Sequence, residues 1–226
     1  MRAELLCSCG LLLEHQGSRI LIDAPNGSLP PFYEFPDAEM QRLLDGTGIY
    51  SGLCGVLFTH LHPDHYDERR VNALLGKNVG LTAFLPDWSM PEAVSLTAGP
   101  FAVECRRFPH MPAPKFPSVA QYVLLVTAGS QSVYVTADAV PDAARHRLIL
   151  NGRIPDAAFW NSQALSYPEM RVLLRESVRE NYVYHMPAGP DDPSGIRRKC
   201  ARNFERYGAE LSNVTPLLEY PSAFVL

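Results

Sequence analysis

Three of the chain's seven histidines fall within six residues, at His60, His62 and His65, with Asp64 directly before the last of them. Imidazole and carboxylate are ligands that proteins offer to zinc, manganese and iron. His60 and His62 are two positions apart at the end of an apolar run, so on a strand both side chains project to the same face. Asp64 and His65 follow on a turn stiffened by Pro63, from which they can aim at a second point. The cluster therefore indicates a metal centre rather than packing.

The apolar runs on either side of this cluster predict the elements that position it. Strands are predicted at 3–13, 18–23, 53–59, 80–86, 101–108, 119–127, 131–137, 156–160, 182–184 and 215–220. Helices are predicted at 37–45, 67–75, from Pro91 onwards, at 168–180 and at 195–207, with a Gly/Pro/Asp loop at 187–195. Strands precede helices in both halves, and each half contains a hairpin. This order favours two mixed sheets with helices outside over a doubly wound parallel sheet.

Length and composition limit the classes of protein. The 226 residues are 46% hydrophobic, enough for one α/β domain spanning residues 1–226, and no linker divides them. A formal net charge of −4 gives no general attraction to nucleic acid or to anionic lipid. No apolar run reaches the roughly 18 residues of a membrane span. Because Glu4 stands early in the N-terminal segment and no A-x-A-like cleavage site follows, we expect no signal peptide and a cytoplasmic protein.

The cysteines do not form a recognisable framework. There are five, an odd number without a CxxC pair: Cys7, Cys9, Cys54, Cys105 and Cys200. This argues against a disulfide framework and against a zinc-ribbon site. Cys7 and Cys9 would share one face of a strand, where a thiol pair is one alternative and two small buried residues are our expectation.

Residues 59–65, which read T-H-L-H-P-D-H, resemble the H-x-H-x-D-H motif of the metallo-β-lactamase superfamily, and they follow an apolar strand as that motif does. The resemblance extends over nearly the whole chain, since each further position that the family fills with a ligand has a match here. It implies a mixed α/β fold of the α+β kind, a four-layer αβ/βα sandwich of two mixed sheets flanked by helices. It also implies a site for two metal ions at one edge of the sheets.

The same resemblance assigns roles to seven candidate metal ligands. One ion would be held by His60, His62 and His110. The other would be held by Asp64, His65 and His185. Asp138, at the end of a hairpin strand, would bridge the two ions.

Three further residues receive expectations. Asp23, after the first hairpin, would accept a hydrogen bond from a ligating histidine, unless it is only a turn residue. The two histidines left over, His15 and His146, are expected to be exposed.

The chemistry that such a site suits best is hydrolysis. Two divalent ions with nitrogen and oxygen ligands can share a water molecule and lower its pKa towards neutrality. Asp64 and Asp138 are the candidate catalytic residues, and Asp64 would also orient the attacking hydroxide. We expect zinc, with manganese or iron as alternatives. An iron pair could instead support redox chemistry, but the flavodiiron proteins that resemble this fold need a flavin domain, which does not fit in 226 residues.

The substrate class depends on smaller features. The spacing from His110 to Tyr122 is similar to that of the RNase Z and phosphonate-pathway phosphodiesterase branch, and no glycine stands beside His110 as it does in thioesterases such as glyoxalase II. A negatively charged chain without a basic arm does not suit tRNA. We therefore expect a small, anionic phosphodiester. Lys115 would bind the anion, and Tyr66 would either donate a hydrogen bond at the mouth of the site or pack under the following helix.

Other functions stay open. The first alternative is a lactonase, or another ester or thioester hydrolase of the same fold. The second is a metal-binding module without catalysis. Hydrolysis of β-lactams is not expected, because the best-known β-lactamases have a cysteine where Asp138 stands. The basic trio Arg197, Arg198 and Lys199 is either a solvated helix face or an anion-binding group.

Overall fold

The structure, a computed structural model, describes residues 1–187 and 192–225. Over these residues the strands are β1 (Arg2–Leu5), β2 (Leu11–His15), β3 (Ser18–Ile22), β4 (Leu53–Leu57), β5 (Thr82–Phe84), β6 (Ala93–Ala98), β7 (Phe101–Phe108), β8 (Gln121–Ala128), β9 (Gln131–Val135), β10 (Ala157–Asn161), β11 (Glu180–Tyr184), β12 (Val214–Pro216) and β13 (Ser222–Val225). The α-helices are α1 (Asp37–Asp45), α2 (Glu68–Lys77), α3 (Ala143–Leu150), α4 (Pro168–Ser177) and α5 (Ile196–Tyr207).

The strands form two mixed sheets, as predicted. The first sheet has the order β13-β1-β2-β3-β4-β5, antiparallel from β13 to β3 and parallel from β3 to β5. The second has the order β12-β11-β10-β9-β8-β7-β6, antiparallel from β6 to β9 and parallel from β9 to β12. Tight turns join β2 to β3, β6 to β7 and β8 to β9, and a longer loop joins β7 to β8. The parallel pairs require crossovers, and helices supply these.

The two sheets pack face to face, and helices cover their outer faces. Since successive side chains of a strand point to opposite faces, Leu11 and Leu13 of β2 join the buried cluster between the sheets, together with Val133 and Val135 of β9. Leu12 points the other way, into the cluster formed with α1 and α2. On the far side, α3, α4 and α5 cover the second sheet. The result is the four-layer sandwich that the sequence predicted.

Two of the predicted elements are wrong. The segment after Pro91 is the strand β6, paired antiparallel with β7, and not a helix. The predicted strand at 3–13 is two strands, separated by a turn in which Leu6 N donates to Gly10 O at 2.8 Å. A Cβ on Gly10 would lie 2.4 Å from Cys7 Sγ, so only glycine fits there. Cys7 and Cys9 lie in this turn and not on a strand, and both are free and buried.

Two further observations concern the chain as a whole. The predicted loop at 187–195 falls partly on residues 188–191, outside the described part of the chain. None of the helices in residues 1–187 and 192–225 is long and apolar enough to cross a membrane.

Candidate metal centre

The carboxyl ends of five strands carry polar side chains that meet at one edge of the sandwich. In the first sheet, Asp23 directly follows β3 and His60 stands shortly after β4. In the second sheet, β7, β9 and β11 run in one direction and are followed by His110, Asp138 and His185. Parallel strands end at the same edge, so the sheet topology places the last three side chains along one edge of the second sheet.

The turn between β4 and α2 supplies the other candidate ligands. His65 N donates to His62 O at 2.9 Å, which closes the turn and places Asp64 between the two histidines. Helix α2 begins soon after, and the Asp67 side chain caps it by accepting a hydrogen bond from Arg70 N at 3.0 Å. The cap fixes where the helix starts and so fixes the direction of the turn before it.

A first cluster of ligand atoms consists of three imidazoles. His60, His62 and His110 each offer a ring nitrogen, and these atoms lie within 4.8 Å of one another. The Nε2 atoms of His110 and His60 are 3.3 Å apart. His60 and His62 are buried and His110 is partly exposed, so the cluster opens to solvent on the His110 side.

A second cluster combines carboxylates and imidazoles. Its members, whose ligand atoms also lie within 4.8 Å of one another, are Asp64, His65, Asp138 and His185. His185 Nε2 is 3.3 Å from Asp64 Oδ2 and 3.7 Å from Asp138 Oδ1. Asp138 also reaches the first cluster, since its Oδ2 is 3.7 Å from His110 Nε2. Asp138 therefore stands between the two clusters.

Neighbouring oxygen atoms indicate which ring nitrogen of His62 and of His65 faces the centre. His62 Nε2 lies 3.0 Å from the carbonyl oxygen of Pro117, which can only accept, so this nitrogen carries the proton and Nδ1 keeps its lone pair. His65 Nδ1 faces Asp23 Oδ2 at 3.1 Å, so Nε2 is the nitrogen of His65 on the side of the other candidate ligands. This Nε2 is 3.0 Å from Nε2 of His185.

The donor atoms fit divalent cations. Two ring nitrogens at that separation repel each other when both present lone pairs, and a cation between them removes the repulsion. Asp138 Oδ1 is a buried oxygen for which the described residues provide no hydrogen-bond partner, and a buried acceptor without a partner indicates a missing ion or water. Nitrogen and oxygen donors in two groups joined by a carboxylate suit a pair of zinc, manganese or iron ions.

Asp23 is a buried carboxylate that connects the two clusters through hydrogen bonds. It is fully buried, and its Oδ1 accepts a hydrogen bond from Thr59 N at 2.7 Å. Its Oδ2 accepts one from Thr59 Oγ1 at 2.8 Å and faces His65 Nδ1. The Thr59 hydroxyl in turn lies 3.2 Å from His60 Nδ1. One carboxylate thus orients a histidine of each cluster, as residues behind metal ligands commonly do.

The backbone is in the left-handed region at three non-glycine residues of this edge: φ is 54° at Asp23, 44° at Ala137 and 61° at His185. Such conformations cost about 1–3 kcal/mol each and persist only where their surroundings enforce them. Asn161 Nδ2 donates to Ala137 O at 3.1 Å, and His185 N donates to Ser8 O at 3.0 Å. Sequence reasoning missed Asn161 and Ser8, since neither belongs to a motif.

The charges of the site shift the pKa values of its members in opposite directions. Burial, together with the neighbouring histidines, lowers the pKa of His60 well below its ordinary value. Burial also opposes a charge on His65, but Asp23 and Asp64 outweigh it and raise the pKa of His65 to about 9. Burial raises the pKa of Asp64, but His65 and His185 outweigh this and hold it below its usual range. His60 is thus in the neutral form that binds metal, and Asp64 is a carboxylate.

The structure does not bring the two candidate substrate-binding residues into the centre. The Tyr66 ring meets Phe58 edge-on, with centroids 5.1 Å apart, in the buried cluster beside α1 and α2. Of the two roles predicted for Tyr66, this position corresponds to packing under the following helix and not to hydrogen bonding at the mouth of the site. Lys115 lies exposed on the loop between β7 and β8. In the basic trio, Arg198 and Lys199 are exposed, whereas Arg197 donates to Leu218 O at 2.7 Å.

His146 corrects an expectation. It was expected to be exposed, but it is only 1% exposed on α3. Its Nδ1 lies 2.9 Å from the Tyr134 hydroxyl, and its ring stacks on Phe108 with centroids 4.3 Å apart. It is a hydrogen-bonded core histidine, apart from the metal centre. His15 is partly exposed at the end of β2.

A cavity of about 350 Å³ opens beside the first cluster. The loop between β7 and β8 forms most of it, and the residues that line it are His62, His110, Met111, Pro112, Ala113, Pro114, Phe116, Pro117, Ser118 and Val119. The Phe116 ring faces His62 with centroids 5.5 Å apart. The lining is thus mainly apolar and meets the metal centre at two of its histidines.

Solved structures share this architecture. A possible metal-dependent hydrolase from Veillonella parvula has a TM-score of 0.67 and 15% identity, with 100% of this chain and 99% of that chain covered. The metallo-β-lactamase fold protein YhfI from Bacillus subtilis has a TM-score of 0.62 and 16% identity, covering 99% and 98%. The diiron β-hydroxylase CmlA from Streptomyces venezuelae has a TM-score of 0.65 and 14% identity, covering 100% of this chain and 54% of that one.

These likenesses establish the fold. The chain has the metallo-β-lactamase fold, as the motif at residues 59–65 predicted. No protein-family model matches the sequence, and no curated protein matches it.

Proposed function

We propose that the protein is a hydrolase that works with two divalent metal ions held by the seven-residue centre. The position of Asp138 carries the proposal. Its Oδ2 lies 3.7 Å from His110 Nε2 and 3.9 Å from His65 Nε2, so it faces one member of each cluster. A carboxylate in this place can bind two cations at once. Zinc is the ion that we expect, and manganese or iron would suit the same donors.

Two carboxylates of the chain, Asp64 and Asp23, would orient the attacking water and a metal ligand. Metal ions of this kind, when bound, lower the pKa of water and stabilise negative charge that develops on a reacting oxygen. Asp64 Oδ2 lies 3.3 Å from His185 Nε2, and its lowered pKa keeps it a carboxylate at neutral pH. It can therefore accept a hydrogen bond from the attacking water and fix the direction of attack. Asp23 would keep the ring of His65 in place through Nδ1.

The cavity bears on the substrate class. Lys115, the residue predicted to bind the anion of a phosphodiester, is exposed and does not line it, and no lysine or arginine is among the lining residues of the described chain. Met111, Phe116 and Val119 contribute an apolar wall instead. We therefore infer that a neutral ester, lactone or thioester with an apolar group suits the cavity better than a phosphodiester does. The small anionic phosphodiester stays as the competing prediction, and a cytoplasmic location stays a prediction from the sequence.

A substrate panel tests this proposal. Protein loaded with zinc, manganese or iron is assayed with p-nitrophenyl esters, a lactone, a thioester and bis-p-nitrophenyl phosphate, and its bound metal is measured by elemental analysis. We expect an ester or lactone to be hydrolysed faster than the phosphodiester. The reverse order would restore the phosphodiester prediction. Bound metal without turnover of any substrate would favour the non-catalytic module, and protein that binds no metal would refute the proposal.

A further inference from the structure

A cysteine lies against the second cluster of the metal centre. Cys9, in the turn between β1 and β2, is fully buried. Its Sγ and one ring nitrogen each of His65 and His185 lie within 4.8 Å of one another. Three side chains that can each bind a metal ion therefore converge here. Cys7, buried in the same turn, belongs to no such group within residues 1–187 and 192–225.

We propose that the Cys9 thiolate is a direct ligand of the metal ion held by His65 and His185. This inference depends on the proposed function only in that a metal ion must bind there. On binding, the S–H bond breaks, a metal–sulfur bond forms, and the proton leaves to solvent. Thiolate is a softer ligand than imidazole or carboxylate, so Cys9 would favour zinc over manganese at this position.

The Cys9 thiol shares its hydrogen-bond acceptor with a second donor. In the structure the thiol donates to the main-chain carbonyl oxygen of Asp64, with 2.8 Å between Sγ and O. The same oxygen accepts a hydrogen bond from Asn26 Nδ2, also at 2.8 Å. If the sulfur turned to a metal ion, the carbonyl of Asp64 would therefore keep one donor, Asn26.

The backbone holds the sulfur and the histidines as one unit. His185 N donates to Ser8 O at 3.0 Å, so the residue before Cys9 is bonded directly to the backbone of a candidate ligand. On the other side, the Ser8 hydroxyl donates to Met186 O at 3.2 Å. These two bonds hold the backbone of the 7–9 turn against the end of β11, next to His185.

Cobalt(II) tests the proposal. It replaces zinc in sites with nitrogen, oxygen and sulfur donors, and its thiolate complexes absorb strongly in the near-ultraviolet, whereas complexes with imidazole and carboxylate alone show only weaker visible bands. The full-length protein is freed of metal with a chelator and titrated with cobalt to two equivalents. We expect a near-ultraviolet band in the wild type and in the matched control Cys7→Ser, and its loss in Cys9→Ser. Metal binding should also release one proton fewer from Cys9→Ser than from the wild type.

Each other outcome has a definite meaning. Visible cobalt bands in the wild type without the near-ultraviolet band would overturn the assignment of Cys9 and leave the proposed hydrolase intact, since Cys9 would then only donate to Asp64. A band that survives in Cys9→Ser, or disappears in Cys7→Ser, would also overturn it. A failure to bind cobalt at all would refute the metal centre itself. If Cys9→Ser does not fold, Cys9→Ala takes its place, and the wild-type spectrum still decides.

Discussion

Mild acid should destabilise the folded protein through His146, which lies outside the metal centre. Burial on α3 lowers the pKa of His146 from 6.5 to about 3, although a hydrogen bond with the backbone of Val140 and the charge of Asp142 act in the opposite direction. The folded state therefore favours the neutral imidazole, which the Tyr134 hydroxyl contacts at 2.9 Å. The unfolded chain has no such preference and takes up a proton below pH 6.5.

The sign and the size of the effect follow from linkage. Because the pKa is lower in the folded state, the contribution of His146 to stability is complete above about pH 6.5 and is lost as the pH falls towards about 3. At about pH 5 the unfolded state gains roughly 2 kcal/mol from protonating this one side chain, and the folded state gains almost nothing. The slope over this range approaches 1.4 kcal/mol per pH unit, as for a single proton.

A comparison with His146→Gln isolates the contribution of His146 to the pH dependence of the free energy of unfolding. Glutamine can form hydrogen bonds with Tyr134 and with the backbone but does not titrate, so the other ionisable groups cancel in the difference between the two proteins. Urea unfolding of both proteins, with chelator present, gives the free energy of unfolding at about pH 7.5 and about pH 5. We expect the wild type to lose roughly 2 kcal/mol more than the variant between these two values. An equal loss in both proteins would show that His146 is not buried in the neutral form.

Three further predictions concern the centre and its cavity. Asp138→Ala should lower kcat at least a hundredfold and release metal, as measured by turnover and elemental analysis. The control Asp87→Ala removes an exposed loop carboxylate and should change neither quantity, and turnover of Asp138→Ala above a few per cent of wild type would contradict the bridging role. Asp23→Asn keeps the size of the side chain and tolerates the left-handed backbone, but it removes the charge facing His65. Metal affinity, measured by competition with a chelator, should therefore fall about 10- to 100-fold. Unchanged affinity would refute the orienting role of Asp23. Phe116→Ala should raise KM for esters with long apolar chains several-fold and leave acetate esters and Tm unchanged; an equal rise for both esters would show that the apolar wall does not bind the chain.

The position of the candidate centre could be predicted because the information for it is local. His60, His62, Asp64 and His65 stand within six residues at the end of an apolar run, and the motif that they form led to the correct fold. The helix predicted after Pro91 was wrong because the segment is short and its state is decided by pairing with β7, which the local pattern does not contain.

The parts that sequence reasoning missed depend on partners far along the chain. The hydroxyl contacted by His146 is 12 residues away, on a strand, and the carbonyl that accepts from Asn161 is 24 residues away. The carbonyl bonded by Cys9 is 55 residues away, so nothing near Cys9 in the sequence distinguishes it from Cys7. Local patterns therefore identified most of the donors, whereas the residues that orient them follow only from the packing of the two sheets.

The candidate centre combines features that each destabilise the chain while no ion is bound. Asp23 and His185 hold left-handed backbone, with φ of 54° and 61°, where a non-glycine residue is unfavourable. The Nε2 atoms of His65 and His185 lie 3.0 Å apart. Burial opposes charge on both rings, but nearby carboxylates outweigh it and raise the pKa of both, so two rings that favour a proton face each other. A bound cation would take the place of those protons and, because the unfolded chain lacks the site, would add its binding free energy to that of folding. An ion would thus offset the strain that its own ligands impose, which explains how this edge of the fold tolerates conformations that a purely structural edge would not need.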